Sequence, residues 1–212
     1  IEIILASMTS IRYTIDMKVT SPAFKNNAKI PKIYSRFGGN QRPPLTISDI
    51  PDGTQSLAVV CYSPDAPFIG GFYHWIVWNL PPTTTEIGSD YLPHGAVEGT
   101  TTWGKPGWGG PHPAFGTHRY QFFVYALNTA LDLPAKTRPK KFSKAIAPHI
   151  IERTMLTGKF GALDNLICGN IGGYSHPISF KLIYSYPLLL WVTLYVYIKY
   201  VIQFIHQTLS KY

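Results

Sequence analysis

The sequence predicts a mostly β domain. Short apolar runs, some alternating and some continuous, are separated by turns rich in the chain's 18 glycines and 18 prolines. Few segments before residue 135 have a helical period. With 212 residues, 45% of them hydrophobic and 14% aromatic, the chain is long and apolar enough to bury a full core. We therefore expect several short strands packed around one core.

Four runs have the character of strands. The first alternates between apolar and polar residues, which is typical of a strand with one buried face. The second is continuously apolar, which favours burial on both faces. The third and fourth follow loops dense in glycine and proline. In chain order the runs are residues 11–19, 56–62, 75–80 and 121–127.

A short helix is expected near the C-terminal end of the domain. Five basic residues lie between Lys136 and Lys144, and Phe142, Ile146, Ile150 and Ile151 follow with a helix-like period. The favoured interpretation is a solvated helix start, and the alternative is a patch for phosphate groups. No aromatic stacking platform or nucleic-acid fold signature accompanies the basic run, so we expect no nucleic-acid partner.

Two loops stiffened by proline each precede a histidine at the start of a strand. Residues 63–71 precede His74, and residues 103–117 precede His118 and Tyr120. If the two strands are neighbours, these side chains and the Asp65 carboxylate could converge at one sheet end. Imidazoles, a phenol and backbone N–H groups suit a small anion. The net charge of +8 agrees with an anionic ligand or an anionic membrane surface.

The two loops and the strands that follow them carry a pair of sequence motifs. The first motif is Ser63-Pro64-Asp65-Ala66-Pro67 followed by His74-Trp75, and the second is Gly107-Trp108-Gly109-Gly110-Pro111 followed by His118-Arg119-Tyr120. In order, spacing and residue type they resemble the signature motifs of the phosphatidylethanolamine-binding protein family, especially its prokaryotic-type branch. The resemblance covers roughly residues 11–161.

This resemblance implies an antiparallel Greek-key β-sandwich with short C-terminal helices. It also implies a regulatory, non-catalytic binding module whose small pocket recognises phosphate or a phospholipid head group. The residues expected to bind the ligand are Asp65, His74, Gly110, Pro111, His118 and Tyr120. Those expected to line the pocket are Ser63, Ala66, Pro67, Trp75, Trp108 and Gly109.

Each ligand-binding residue has an expected role. His74 and His118 are predicted to donate hydrogen bonds to the anion, while Tyr120 and backbone N–H groups around residues 109–111 complete the wall. Asp65 is predicted to orient a histidine or to hold the first motif loop. Ser63 departs from the family pattern, which has an aspartate there. The loss of that negative charge should favour the binding of anions in the pocket.

Two other function classes stay open. One is kinase or protease inhibition through docking to a protein partner. The other is hydrolysis by Asp/His acid–base chemistry, although G-x-S-x-G is absent and Cys61 lies in apolar surroundings. The spacings of His74, His94, His112 and His118 match no short zinc motif, so we expect no metal and no cofactor.

The predicted organisation is a leader over residues 1–10, one domain over 11–162 and an apolar tail over 163–212. Within the tail Leu182–Ile198 has no charged residue, and the apolar character continues to Ile205. The tail is interpreted as a membrane anchor through residues 182–205, as a non-native extension or as a soluble packing helix. The two cysteines, Cys61 and Cys168, form no disulfide framework, so a cytoplasmic location is expected, with membrane anchoring if the tail is genuine.

Overall fold

Two sheets of antiparallel strand pairs make up most of the structure, a computed structural model that describes residues 16–166. The smaller sheet has the order β1-β2-β5, and the larger has the order β6-β4-β3-β7-β8. The strands are β1 (Lys18–Thr20), β2 (Leu45–Ser48), β3 (Ser56–Ser63), β4 (Phe72–Leu80), β5 (Glu86–Ile87), β6 (Val97–Glu98), β7 (Thr117–Leu127) and β8 (Ile150–Gly161). The mostly β, antiparallel prediction is confirmed, and the Greek-key connectivity stays a prediction.

The position of β3 in the sheet explains why its sequence is continuously apolar. It is the central strand of the larger sheet, and that sheet has a cluster of buried residues on each face. Successive side chains point to opposite faces. Leu57, Val59 and Cys61 therefore enter one cluster of buried residues, whereas Ala58 and Val60 enter another.

The first cluster lies between the two sheets. Met17, Val19, Leu45 and Ile47 come from the smaller sheet or its approach and pack against β3, β4 and β7. The second cluster lies on the opposite face of the larger sheet and includes residues of helix α1 (Pro139–Ile146). The larger sheet is thus the middle layer of the domain.

Strands β4 and β7 follow the two motif loops, but they are not neighbours. Strand β3 lies between them and pairs antiparallel with each. Two strands that are both antiparallel to a third run parallel to each other. The starts of β4 and β7 therefore lie at the same end of the sheet, beside the end of β3.

The predicted helix is shorter than its period suggested. Helix α1 begins with Pro139, where the missing N–H costs nothing, and ends at Ile146. Pro148 then lies in a short 3-10 turn, and Ile150 and Ile151 begin β8. Their assignment to a helix was wrong because proline cannot continue the helical hydrogen bonds. A second short helix, α2 (Ala162–Leu166), follows β8.

Several predictions fall outside the described residues. They concern the leader, residues 11–15 of the first strand, Cys168 and the apolar segment 182–205. The domain boundaries at 11 and 162 stay predictions. Within residues 16–166, no helix has the length and apolar character needed to span a bilayer.

Candidate functional site

The candidate site lies where β3 ends and β4 and β7 begin. Two loops meet there: the first loop, residues 64–71, joins β3 to β4, and the second loop, residues 99–116, joins β6 to β7. Alternation along β7 puts His118 and Tyr120 on the face of the first cluster, together with Phe122. Alternation along β3 puts Ser63 on the same face.

His74 reaches this face because β4 contains a bulge. Cys61 pairs with Trp75, but the next residue of β3, Tyr62, pairs with Tyr73, so His74 is the extra residue. The centroid of its ring lies 5.0 Å from that of Tyr120 in an edge-to-face arrangement. The bulge thus brings the first-motif histidine to the second-motif tyrosine, as the motifs predicted.

Two hydrogen bonds tie His74 to the second loop. Its Nδ1 lies 2.6 Å from the Gly109 carbonyl oxygen, and the Gly109 N–H donates to the His74 carbonyl at 2.9 Å. Only 4% of His74 is exposed. Burial, aided by the positive charges of His118 and Arg36, lowers the pKa of His74 to about 4, so the ring is neutral at pH 7.

His118 and Tyr120 complete the cluster on β7. Burial lowers the pKa of His118, and the charge of Asp65 partly opposes that shift. Burial raises the pKa of Tyr120 strongly, so its phenol stays neutral, and it is hydrogen-bonded to the backbone of His112. At neutral pH the cluster offers polar hydrogens without fixed charges on these rings.

Asp65 holds the first loop to β7. Its carboxylate accepts from Arg119 Nε at 2.9 Å, from a terminal guanidinium nitrogen at 2.6 Å and from the Arg119 backbone N–H at 2.8 Å. These hydrogen bonds, the side-chain bonds first, lower the pKa of Asp65 to about 2. Of the two roles predicted for Asp65, the structure shows the one that fastens the loop.

The backbone donors predicted around residues 109–111 are already used within the protein, so that detail was wrong. The Gly109 N–H bonds to His74, and the Gly110 N–H donates to Asn40 Oδ1 at 2.8 Å. Pro111 has no N–H. These residues shape the site by close packing instead, because a Cβ on Gly110 would collide with the Tyr34 carbonyl oxygen and lie 2.7 Å from the Arg36 nitrogen.

Arg36 is the site residue that the sequence did not reveal. Its guanidinium lies 4.0 Å from the centre of the Trp103 ring, and its charge lowers the pKa of both His74 and His112. Its backbone N–H donates to the Pro111 carbonyl at 3.0 Å. No motif marks Arg36, since only tertiary packing brings it beside the second loop. The nearby Asn40, which accepts from Gly110, lies within residues 11–161, the stretch that resembles the family.

The remaining predicted residues lie at the site, in the core or in the first loop. Ser63 is buried, and its hydroxyl has no hydrogen-bond partner among residues 16–166. The Trp108 ring lies 6.5 Å from that of His74. Trp75 is a core residue instead: its N–H donates to Glu98 at 2.9 Å, and Arg42 lies over its ring. In the first loop Ala66 is half-buried and Pro67 is exposed.

No group of three or more His, Cys, Asp or Glu side chains with metal-binding geometry occurs among residues 16–166. The four histidines considered from the sequence do not form such a group: His74 and His118 share the site, and His94 is exposed in another loop.

Comparison with known proteins shows which family and which relatives this chain resembles. The family model described as phosphatidylethanolamine-binding protein matches residues 20–161. A UPF0098 protein of Methanothermobacter thermautotrophicus is 35% identical over 149 residues, which cover 68% of this chain and 98% of the relative. The UPF0098 protein YbcL of Escherichia coli is 40% identical over 140 residues, which cover 59% of this chain and 76% of YbcL.

Two crystal structures agree with these relatives. That of Escherichia coli YbcL, described as a new member of the mammalian PEBP family, has a TM-score of 0.66 and 32% identity, covering 69% of this chain and 98% of the crystallised chain. That of a PEBP homologue from Chlamydia trachomatis has a TM-score of 0.65 and 35% identity, covering 68% and 97%. The chain belongs to the phosphatidylethanolamine-binding protein family, in its prokaryotic-type branch.

Proposed function

We propose that this protein is a non-catalytic binding module whose site takes a small oxyanion, a phosphate group that is either free or part of a phospholipid head group. Membership of the family supports a binding function. The observation that carries the proposal is the convergence of His74, His118 and Arg36 beside a carboxylate, Asp65, whose charge is already satisfied by Arg119.

The electrostatics of the site support an anion. The Arg36 guanidinium is a permanent positive charge, and a planar donor of this kind suits phosphate oxygens. The neutral Tyr120 phenol and one N–H of neutral His118 add polar hydrogens without a second fixed charge. With Asp65 paired to Arg119, the balance of charge around the histidines is positive.

The absence of catalysis is part of the proposal. Burial raises the pKa of the Cys61 thiol well above its usual value, which is the opposite of what an activated nucleophile needs. In the part of the chain that the structure describes, the Ser63 hydroxyl is not hydrogen-bonded to any base. A regulatory role, a protein partner and a cytoplasmic location stay predictions from the resemblance and composition.

Calorimetric titration tests the proposal. We expect inorganic phosphate and phosphoethanolamine to bind the purified protein at one site. Sedimentation with phosphatidylcholine vesicles, with and without phosphatidylethanolamine, shows whether the head group is also recognised in a membrane. Binding of the soluble phosphates without vesicle binding would assign the site to free phosphate groups, and no binding of any phosphate at millimolar concentration would overturn the proposal.

The Arg36→Gln variant gives the sharper test. Loss of one charge-assisted contact should weaken phosphate binding about tenfold. Arg138→Gln is the matched control, because Arg138 is exposed just before α1. Equal affinities in the two variants would contradict a role for Arg36.

His118→Ala should also weaken phosphate binding, by about tenfold, because it removes a polar hydrogen from the site. His94→Ala is the control, since His94 is exposed in a loop outside the cluster. A titration in which both variants bind phosphate like the unmodified protein would exclude His118 from the site.

A further inference from the structure

The hydrogen bond between His74 and Gly109 decides which ring nitrogen carries a proton. A carbonyl oxygen can only accept, so the His74 Nδ1 that lies 2.6 Å from it must donate. In a neutral imidazole the other nitrogen then has a lone pair and no hydrogen. His74 Nε2 is therefore an acceptor, not the donor that an anion without a proton needs.

This nitrogen is what His74 offers a ligand. The residue keeps 4% of its surface exposed, and no described group from residue 16 to residue 166 forms a hydrogen bond to Nε2. An oxyanion without a proton would place oxygen lone pairs against the nitrogen lone pair. An oxyanion with a P–O–H group would donate to it instead, as a hydroxyl does to a neutral histidine.

The alternative is a protonated, positively charged His74 ring that donates from both nitrogens. The surroundings of the ring oppose this protonation. With its pKa lowered to about 4, on the order of one molecule in 10³ has a charged His74 at pH 7. Of the titratable and charged groups, His118 of β7 and Arg36 of the segment before Asn40 act on the His74 ring, and Tyr120 of β7 contacts it. One contact further out, His112 of the second loop is hydrogen-bonded to Tyr120, and Asp65 of the first loop acts on His118 and pairs with Arg119.

We propose that the site selects an oxyanion that carries an acidic proton, with His74 Nε2 accepting the hydrogen bond from that proton. The ligand class is hydrogen phosphate or the protonated form of a phosphomonoester, in preference to sulfate, a carboxylate or a phosphodiester. Of the two sources named in the proposed function, this favours free phosphate groups over a phospholipid head group, which is a phosphodiester. This inference rests on the proposed function, because it specifies the form of the anion that the same site binds.

Sulfate is the discriminating probe, because it has nearly the shape of phosphate but no proton at pH 7. Calorimetric titration at pH 7 and constant ionic strength should show inorganic phosphate binding at least about tenfold more tightly than sulfate, the effect of one hydrogen bond replaced by one repulsive contact. Equal affinities would overturn the inference and leave the proposed function standing. If neither anion binds, both are overturned.

The His74→Asn variant distinguishes the contact made by Nδ1 from the contact made by Nε2. The shorter amide can still donate to Gly109 through its nitrogen, but it has no group at the position of Nε2. The preference for phosphate over sulfate should fall to within about twofold, the margin expected when the discriminating contact is gone. His118→Asn should weaken both anions and keep their ratio. A preference that survives in His74→Asn would overturn the inference.

The pH dependence gives a second measurement. A phosphomonoester has its second pKa near 6, so phosphoethanolamine gains its acidic proton as the pH falls through that value. The ratio of its affinity to that of sulfate should rise about 25-fold between pH 7.5 and pH 5.5, the increase in protonated ester over that range. Taking the ratio cancels the protonation of His118, which favours both anions, and a constant ratio would overturn the inference.

Nuclear magnetic resonance tests the tautomer without any variant. The ¹⁵N signals of His74 should show a protonated Nδ1 and an unprotonated Nε2 at pH 7, both without ligand and with saturating inorganic phosphate. The opposite tautomer, or a doubly protonated ring in the phosphate complex, would overturn the inference.

Discussion

The two loops that build the site are held by different forces. The first loop is fastened by the Asp65–Arg119 ion pair, whose side chains are 28% and 53% exposed. The second loop is fastened by hydrogen bonds from Gly109 to His74 and from Gly110 to Asn40. It is also packed so closely that a Cβ on Gly110 would meet backbone atoms.

Because of this difference, the first loop is the adjustable part of the site and the second loop is the rigid part. An exposed ion pair contributes little to stability and weakens in salt or acid. Buried hydrogen bonds and close packing are insensitive to salt, and they fail when an atom is added or a partner is lost. The second loop therefore sets the geometry of the site, while the first loop is the part that conditions can loosen.

The largest effect is expected from Gly110→Ala. The new methyl group would collide with the Tyr34 carbonyl oxygen, which is backbone and cannot rotate away, so unfolding free energy should fall by about 3 kcal/mol. Urea denaturation measures it. Gly104→Ala in the same loop is the control, because Gly104 has open space and only a φ of +78°, which should cost about 1 kcal/mol. Equal losses would show that packing against Tyr34 is unimportant.

The next effect is acid destabilisation through His74. Its folded pKa of about 4 lies below the ordinary 6.5, so the unfolded chain binds more protons between these values. Stability should therefore fall as the pH falls from 6.5 to 4, by about 3 kcal/mol from this residue. Urea midpoints measured from pH 7 to pH 4 should show that His74→Asn removes this slope. His94→Asn should keep it, and a slope unchanged in His74→Asn would contradict the assignment.

Ser63→Asp should have a smaller effect, on binding. Ser63 is buried at the end of β3, next to the first loop, and an ionised carboxylate there would repel phosphate. We expect affinity for inorganic phosphate to fall about tenfold at pH 7. Ser63→Asn has the same size without the charge and should bind phosphate like the unmodified protein. Unchanged or tighter binding by Ser63→Asp would count against an anion-selective site.

The smallest effect is expected from Asp65→Asn. Because the folded pKa of Asp65 is lowered to about 2 from the ordinary 3.8, the ion pair stabilises the protein above about pH 4 and loses its contribution as the pH falls toward 2. The variant should be slightly less stable than the unmodified protein at pH 7, with the difference shrinking in high salt and near pH 2. Asp52→Asn, at an exposed turn, should show no such pattern in the same denaturation series.

Part of the site was predictable because sequence motifs carry local geometry. The loops before His74 and His118 are dense in glycine and proline, and the runs that follow them are apolar, so two histidines at strand starts could be expected. Their convergence needed one more fact, that β3 lies between the two strands and pairs antiparallel with both. That arrangement depends on contacts between residues distant in the chain.

The sequence by itself determined the mostly β class, the two motif loops and the family, because strand periodicity and turn chemistry are local properties. Tertiary structure alone decided that Arg36 joins the site, that the Gly109 and Gly110 N–H groups are already bonded and that His74 offers an acceptor. The physical reason is that a hydrogen bond commits a donor to one partner. Which partner it finds is settled only when distant segments pack together.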